Sequence, residues 1–254
     1  MLQSLNSLIG YKIHATDGFL GKVDEFFFDD EFWVVRYIVV DTGGWLSYRK
    51  VLISPVALGT PDWKTESLPV NLTCEQVRNS PDIDTKKTIF RQHEIELFRY
   101  YTWPYYWGND FYSGNLYGIN SAPPVPMKEE IGNQEKTTEM TQEEQHLRST
   151  NIVSGYHIHA KDGDIGHVDD FIIDQKTWTI QYLVAKTRNW LPGKTVLISP
   201  KWLKEVSWIE EKVIVDLTQD AIRNSPEYDP SKIITEEYEA ELHKHYGWFR
   251  KRKV

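Results

Sequence analysis

Tyr11-Lys12-Ile13-His14-Ala15-Thr16-Asp17-Gly18 stands near the start of this chain, and Tyr156-His157-Ile158-His159-Ala160-Lys161-Asp162-Gly163 stands 145 residues further on. Working outward from that stretch, Val51-Leu52-Ile53-Ser54-Pro55 returns as Val196-Leu197-Ile198-Ser199-Pro200, and Arg78-Asn79-Ser80-Pro81 returns as Arg223-Asn224-Ser225-Pro226. Residues 11–103 align with 156–248 without a gap, and 40 of the 93 pairs are identical. Identity at that level in a fixed register means that one structural unit is written twice.

The residues within a unit read as short strands. Tyr11 to Ala15 runs into Asp17-Gly18, a hairpin dipeptide whose glycine tolerates positive φ. The next strand, ending at Asp29, meets polar turn residues, and Trp33, Val35, Tyr37 and Val39 then alternate with Val34, Arg36, Ile38 and Val40. The alternation predicts an inward Trp33/Tyr37 face and a partly wet face carrying Arg36, or Gln181 in the second copy. About six strands in some 65 residues, without crossover helices, predict a mainly β fold, a small antiparallel barrel in each copy. Thr73 and Thr218 are placed to cap a brief helix ended by Pro81 or Pro226, and a second helix follows over 88–101 and 235–246. Glu94, Leu97 and Tyr101 recur as Glu239, Leu242 and Tyr246, one helical stripe lying against its own barrel.

The predicted organisation is a first unit at 1–104, a flexible linker at 105–150 with a short helix near 141–148, and a second unit at 151–254. Each unit is expected to have its own core and to fold independently.

These motifs resemble the PRC-barrel family, named for the cytoplasmic domain of the photosynthetic reaction-centre H subunit and found also at the C-terminus of a ribosome maturation factor. The resemblance rests on Gly10-Tyr11 with Asp17-Gly18-x-x-Gly21-Lys22-Val23-Asp24, on Tyr37-Ile38-Val39-Val40-Asp41 and on Leu52-Ile53-Ser54-Pro55, each with its second-copy partner. It is strongest with the stand-alone tandem form. It implies two PRC-type barrels followed by short helices, used as an adaptor surface, with stress-associated bacterial proteins as the nearest kin in form.

Function is bounded mostly by exclusion. With 29 basic and 37 acidic residues the net charge is −8, so wholesale binding to nucleic acid is not expected. Arg250-Lys251-Arg252-Lys253 is the sole basic run and reads as a solvated tail. The lone Cys74 makes no intramolecular disulfide, and apolar runs fall far short of the ~20 residues of a membrane helix, which predicts a cytoplasmic protein without a membrane span. No phosphate-binding glycine loop, nucleophile elbow or His-Glu-x-x-His occurs. The acidic residues at Asp17, Asp24, Glu25 and Asp29 read as turn and strand-face residues. The second-copy histidines, with His157 and His159 on one strand face and His243 and His245 on a helix, face Lys12, His14, Phe98 and Tyr100 in the first copy, so the repeat shares no metal site. We therefore expect no catalytic residue, cofactor or metal.

The expected function is a non-enzymatic binding or scaffold protein whose partner is a protein, or a second copy or the sister unit. The alternatives are an RNA- or ribosome-associated factor and a small-molecule enzyme. Trp45 with Arg49 and Trp190 with Lys194, aromatic residues beside cations in a loop, are the predicted partner-binding residues. Arg78 with Glu94 and Arg223 with Glu239 are predicted structural ion pairs.

Overall fold

The computed structural model describes residues 1–85, 87–107, 146–187 and 193–251. The chain is mainly β, with two mixed sheets and short helices. Strands β1 (Leu2–Ser4), β2 (Lys12–Ala15), β3 (Gly18–Asp29), β4 (Val34–Asp41), β5 (Lys50–Ile53) and β6 (Ser67–Pro69) precede helices α1 (Cys74–Arg78) and α2 (Arg91–Tyr101). The second unit follows the same order with one further strand, β12, and a short α3: β7 (Leu147–Ser149), α3 (Thr150–Val153), β8 (His157–Ala160), β9 (Gly163–Asp174), β10 (Ile180–Thr187), β11 (Thr195–Ile198), β12 (Leu203–Ser207), β13 (Lys212–Val215), α4 (Gln219–Arg223) and α5 (Glu236–Lys251).

One sheet runs β5-β4-β3-β2-β6 and the other β11-β10-β9-β8-β13-β12. The expected all-antiparallel arrangement is corrected at one pair per sheet. β6 lies parallel to β2, and β13 parallel to β8. The reason is local: after β5 and β11 the chain makes a tight turn at Pro55–Ala57 or Pro200–Trp202 and returns along the far side of the sheet. In both turns the serine before the proline accepts the N–H two residues on.

The strand that each unit places first is paired with the other unit. β1 is antiparallel to β9, with Leu2 opposite Asp174 and Ser4 opposite Ile172; β7 is antiparallel to β3, with Leu147 opposite Asp29 and Ser149 opposite Phe27. The two registers are related by the same 145-residue shift as the sequence repeat. Between them, Val34 bridges Thr179, which the shift exchanges with one another, so this bridge sits on a pseudo-twofold axis. Val35 N–H donates to the Trp178 carbonyl at 2.9 Å and Ile180 N–H to the Trp33 carbonyl at 2.7 Å.

The hydrophobic core follows this pairing. A continuous cluster includes Leu5, Leu8, Phe26 and Phe28 from the first unit and Phe171, Trp178, Ile180 and Tyr182 from the second. Phe28 stacks on Trp33 and packs on Phe171 across the axis, and Phe26 packs on Trp178. Fully burying Leu5 and Leu8, which the turn after β1 directs inward, contributes roughly 1.5–3 kcal/mol each. A smaller cluster, Tyr37, Val39, Leu52, Leu97 and Phe98 among it, lies between the first sheet and α2. Two separate cores were expected, and one buried cluster instead spans both units.

Two further expectations change. β4 is buried on both faces: Ile38 and Val40, on the face read as wet, belong to the continuous core, Tyr37 and Val39 pack with Leu97 and Phe98, and Arg36, 6% exposed, lies against the Tyr106 ring. The expected linker is structured at both ends: Tyr106 is buried against the α2 core, and Leu147–Ser149 form β7 where the helix near 141–148 was expected. Residues 108–145 lie outside the described residues.

Cutting the backbone at an inserted protease site between Trp107 and His146 should leave both pieces co-migrating under native conditions and unfolding in one transition. Separation of the pieces on a sizing column would contradict the shared core.

Candidate functional site

The loop after β4 holds the predicted partner-binding residues. Trp45 is half-buried: its Nε1 donates to the Leu20 carbonyl at 2.6 Å and the Arg78 guanidinium stands 5.6 Å over its ring. Arg49 donates to the carbonyls of Arg78, Ser80 and Pro81 at 3.2, 2.8 and 2.7 Å and pairs with Asp82 at 3.1 Å. The Arg78 carbonyl is one that the short α1 leaves without a helical partner, and those of Ser80 and Pro81 belong to the turn that follows. Lys194 repeats the role, its Nζ donating to the Arg223 carbonyl at 3.0 Å and to the Ser225 carbonyl. Trp190 lies outside the described residues. Arg49 and Lys194 thus fasten the Arg-Asn-Ser-Pro turn to the sheet.

The exposed aromatic of this loop is one the sequence reading passed over. Tyr48 is 77% exposed, and both it and Ser47 adopt left-handed backbone, φ 59 and 53. That conformation costs a tyrosine on the order of 1–2 kcal/mol. The residue at the repeat-equivalent position is Gly193, the residue type that the conformation favours.

The predicted Arg78–Glu94 pair does not form. Glu94 takes Arg91 of its own helix, three residues back and at 3.0 Å, and accepts from Tyr37 Oη at 2.9 Å and Tyr106 Oη at 2.5 Å. Burial pushes its carboxyl above the usual range, against the opposing pull of Arg91. Arg36 pairs with Asp29 at 3.3 Å and stacks 4.0 Å from the Tyr106 ring. In the second unit Glu239 accepts from Tyr182 Oη at 2.9 Å, and that hydroxyl also meets His243 Nε2 at 3.0 Å. The repeated partner of the helix glutamate is therefore the phenol of β4 or β10. Its signal was present, since Tyr37 and Tyr182 are identical in the repeat.

Other repeated carboxylates are engaged in turns and caps. Asp29 and Asp174 accept backbone N–H groups of the turn that follows, and Asp17 and Asp162 accept the N–H of Cys74 and Gln219 at 2.7 Å, the first residue of α1 or α4. Thr73 and Thr218 cap those helices as expected. Among the described residues no group of three His, Cys, Asp or Glu side chains is placed to hold a metal ion. No described helix is long and apolar enough to cross a membrane.

At the junction of the units each exchanged strand sets a serine on a carboxylate. Ser4 Oγ meets Asp170 and Ser149 Oγ meets Glu25, both at 2.5 Å. Asp170 also accepts the N–H of Asn6 at 3.0 Å and of Phe171 at 2.7 Å, and it has no cation within ion-pair distance among the described residues. Burial raises the Asp170 and Glu25 carboxyls above the usual range. These two positions are also related by the repeat.

Residues 158–222, from β8 to α4, match the family model described as PRC-barrel domain. No curated protein matches the chain. The match falls within the second unit, and a domain of this description suggests a binding or scaffold module.

Two expectations follow. A carboxyl raised in the folded state binds its proton more tightly there than in the unfolded chain, so its contribution is gained as pH falls through the raised value and is missing above it. Asp170→Asn removes that gain, so wild-type stability relative to the variant should grow between pH 7.5 and 5 in urea unfolding; a constant difference would count against the assignment. Tyr48→Gly should stabilise by roughly 0.5–1 kcal/mol, relief of strain less the entropy of glycine in the unfolded chain, and a loss of stability in the same assay would show Tyr48 to be structural.

Proposed function

We propose that this chain is a non-enzymatic binding or scaffold protein built from two PRC-barrels, the first unit being a barrel of the same kind by virtue of the repeat, and acting in the cytoplasm. The observation that carries this reading is how the repeated polar groups are used. Arg49 and Lys194 hold the carbonyls of Arg78 and Arg223 at the ends of α1 and α4, Asp17 and Asp162 hold helix-start N–H groups, and Glu94 and Glu239 accept phenols. Groups already occupied by bonds within the fold are poor candidates for acid/base or nucleophilic work, which needs a side chain presented to a substrate.

Partner contact then falls to exposed positions where the two units differ. In the loop predicted from the sequence, Tyr48 supplies the aromatic anchor in place of Trp45, with strain retained at a position where the second unit has glycine. Its partner is a protein.

The test is a photo-crosslinking amino acid at position 48 of the full chain, with the same residue at Ile233 as an exposed control. A discrete protein adduct from 48 and none from 233 is the expected outcome. Equal labelling from both positions, or loss of a small-molecule turnover in Tyr48→Ala, would overturn the reading.

A further inference from the structure

We infer that the outward face of the β2–β3 hairpin in the first unit is a short binding site for single-stranded nucleic acid, with Lys12 and Lys22 on backbone phosphates and Phe19 with His14 as the surface on which a base stacks. Lys12 and Lys22 are direct register partners and both are exposed. Among the described residues neither lies within ion-pair distance of a carboxylate. Like charges directly opposite each other destabilise a strand pair, and an anion bridging the two lysines would reverse the sign of that contact.

The next outward pair on the same hairpin is His14 opposite Phe19. Their rings meet edge-on with centroids 5.6 Å apart, and Phe19 is 47% exposed. Two residues along a strand advance it about 7 Å, so a phosphate held by the lysine row leaves its base within reach of the aromatic row. Cations tracking a backbone beside an exposed aromatic ring are the ingredients of sequence-tolerant single-strand binding. On the neighbouring strands Lys12 faces Ser67, His14 faces Pro69 and Lys22 faces Asp41, whose carboxylate accepts the Gly43 N–H at 2.9 Å and makes no ion pair with Lys22.

The second unit supplies the contrast. His157 and His167 stand where the lysines are, and Asp164 stands in place of Phe19, its carboxylate bonded to His159 at 2.7 Å. Asp164 offers no ring on which a base could stack, so the site belongs to the first unit alone. The chain's net charge of −8 limits it to a short segment. This inference goes beyond the adaptor reading and does not depend on it.

The test is fluorescence anisotropy of a labelled ten-nucleotide oligouridylate with the full chain between 25 and 150 mM salt. Two phosphate contacts on a single strand predict a log–log salt slope of about −1.4. Lys12→Thr with Lys22→Thr should weaken binding at least ~10-fold and flatten the slope without lowering stability, since it removes a like-charge pair. Phe19→Ala should weaken binding about 5-fold or more and leave the slope unchanged. The proposal is overturned by absence of saturable binding, by binding that survives the lysine pair but is lost when Arg250 to Lys253 are replaced by alanine, or by equally strong displacement by poly-L-glutamate, which would assign the face to an acidic peptide.

Discussion

The reciprocal pairing of β1 with β9 and of β7 with β3 is the constraint on which the rest of the molecule depends. β3 is twelve residues long, and β2 accompanies only its first part. Phe27, Phe28 and Asp29 would otherwise leave an open edge at the most aromatic stretch of the sheet, the kind of edge that recruits foreign strands. The strand that covers it comes from the other unit, and the arrangement at β9 is the same. Because the pairing is mutual, closing one edge requires the other unit to be in place.

The symmetry is one of backbone more than of chemistry. Over β7, Arg148 pairs with Asp30 at 2.7 Å, while the equivalent contact over β1 is a hydrogen bond between Gln175 and Gln3. Around the helix glutamate the first unit adds Tyr106, Arg91 and Arg36, where the second has Tyr182 with His243. The shared features, capped helices, serine-proline turns and left-handed Trp33 and Trp178, are those that set the chain's path. The differences lie in side chains that cover or decorate it.

What was legible in the sequence follows from range. Hairpins and caps rest on neighbours a few residues apart, and they were readable from Asp17-Gly18 and Thr73. The exchange of strands was not, because a three-residue strand has no periodicity; its only trace is Leu2-x-Ser4-x-Asn6 returning as Leu147-x-Ser149-x-Asn151 just ahead of the recognised repeat. Arg36 was misjudged for a related reason. Its burial depends on Asp29 and Tyr106, one on the adjacent strand and the other seventy residues away, and nothing in its own neighbourhood announces either. In the loop after β4, the inward turn of Trp45 to the Leu20 carbonyl and the exposure of Tyr48 were not legible, because the first depends on a strand 25 residues away and the second on a backbone conformation that residue identity disfavours.

The order in which the pairing partners leave the ribosome has a consequence of its own. β1 emerges first, yet its partner β9 is completed some 170 residues later, and the edge of β3 waits for β7 over about 120 residues. At 5–20 residues per second, the first unit spends on the order of 6–24 s on the nascent chain with Phe27 and Phe28 uncovered. An adjacent ribosome on the same message would present the same open edge and the same loose leader at the same moment. For this fold, the spacing of ribosomes and the pace of elongation through the segment between the units therefore bear on whether leader strands find their own chain or a neighbouring one.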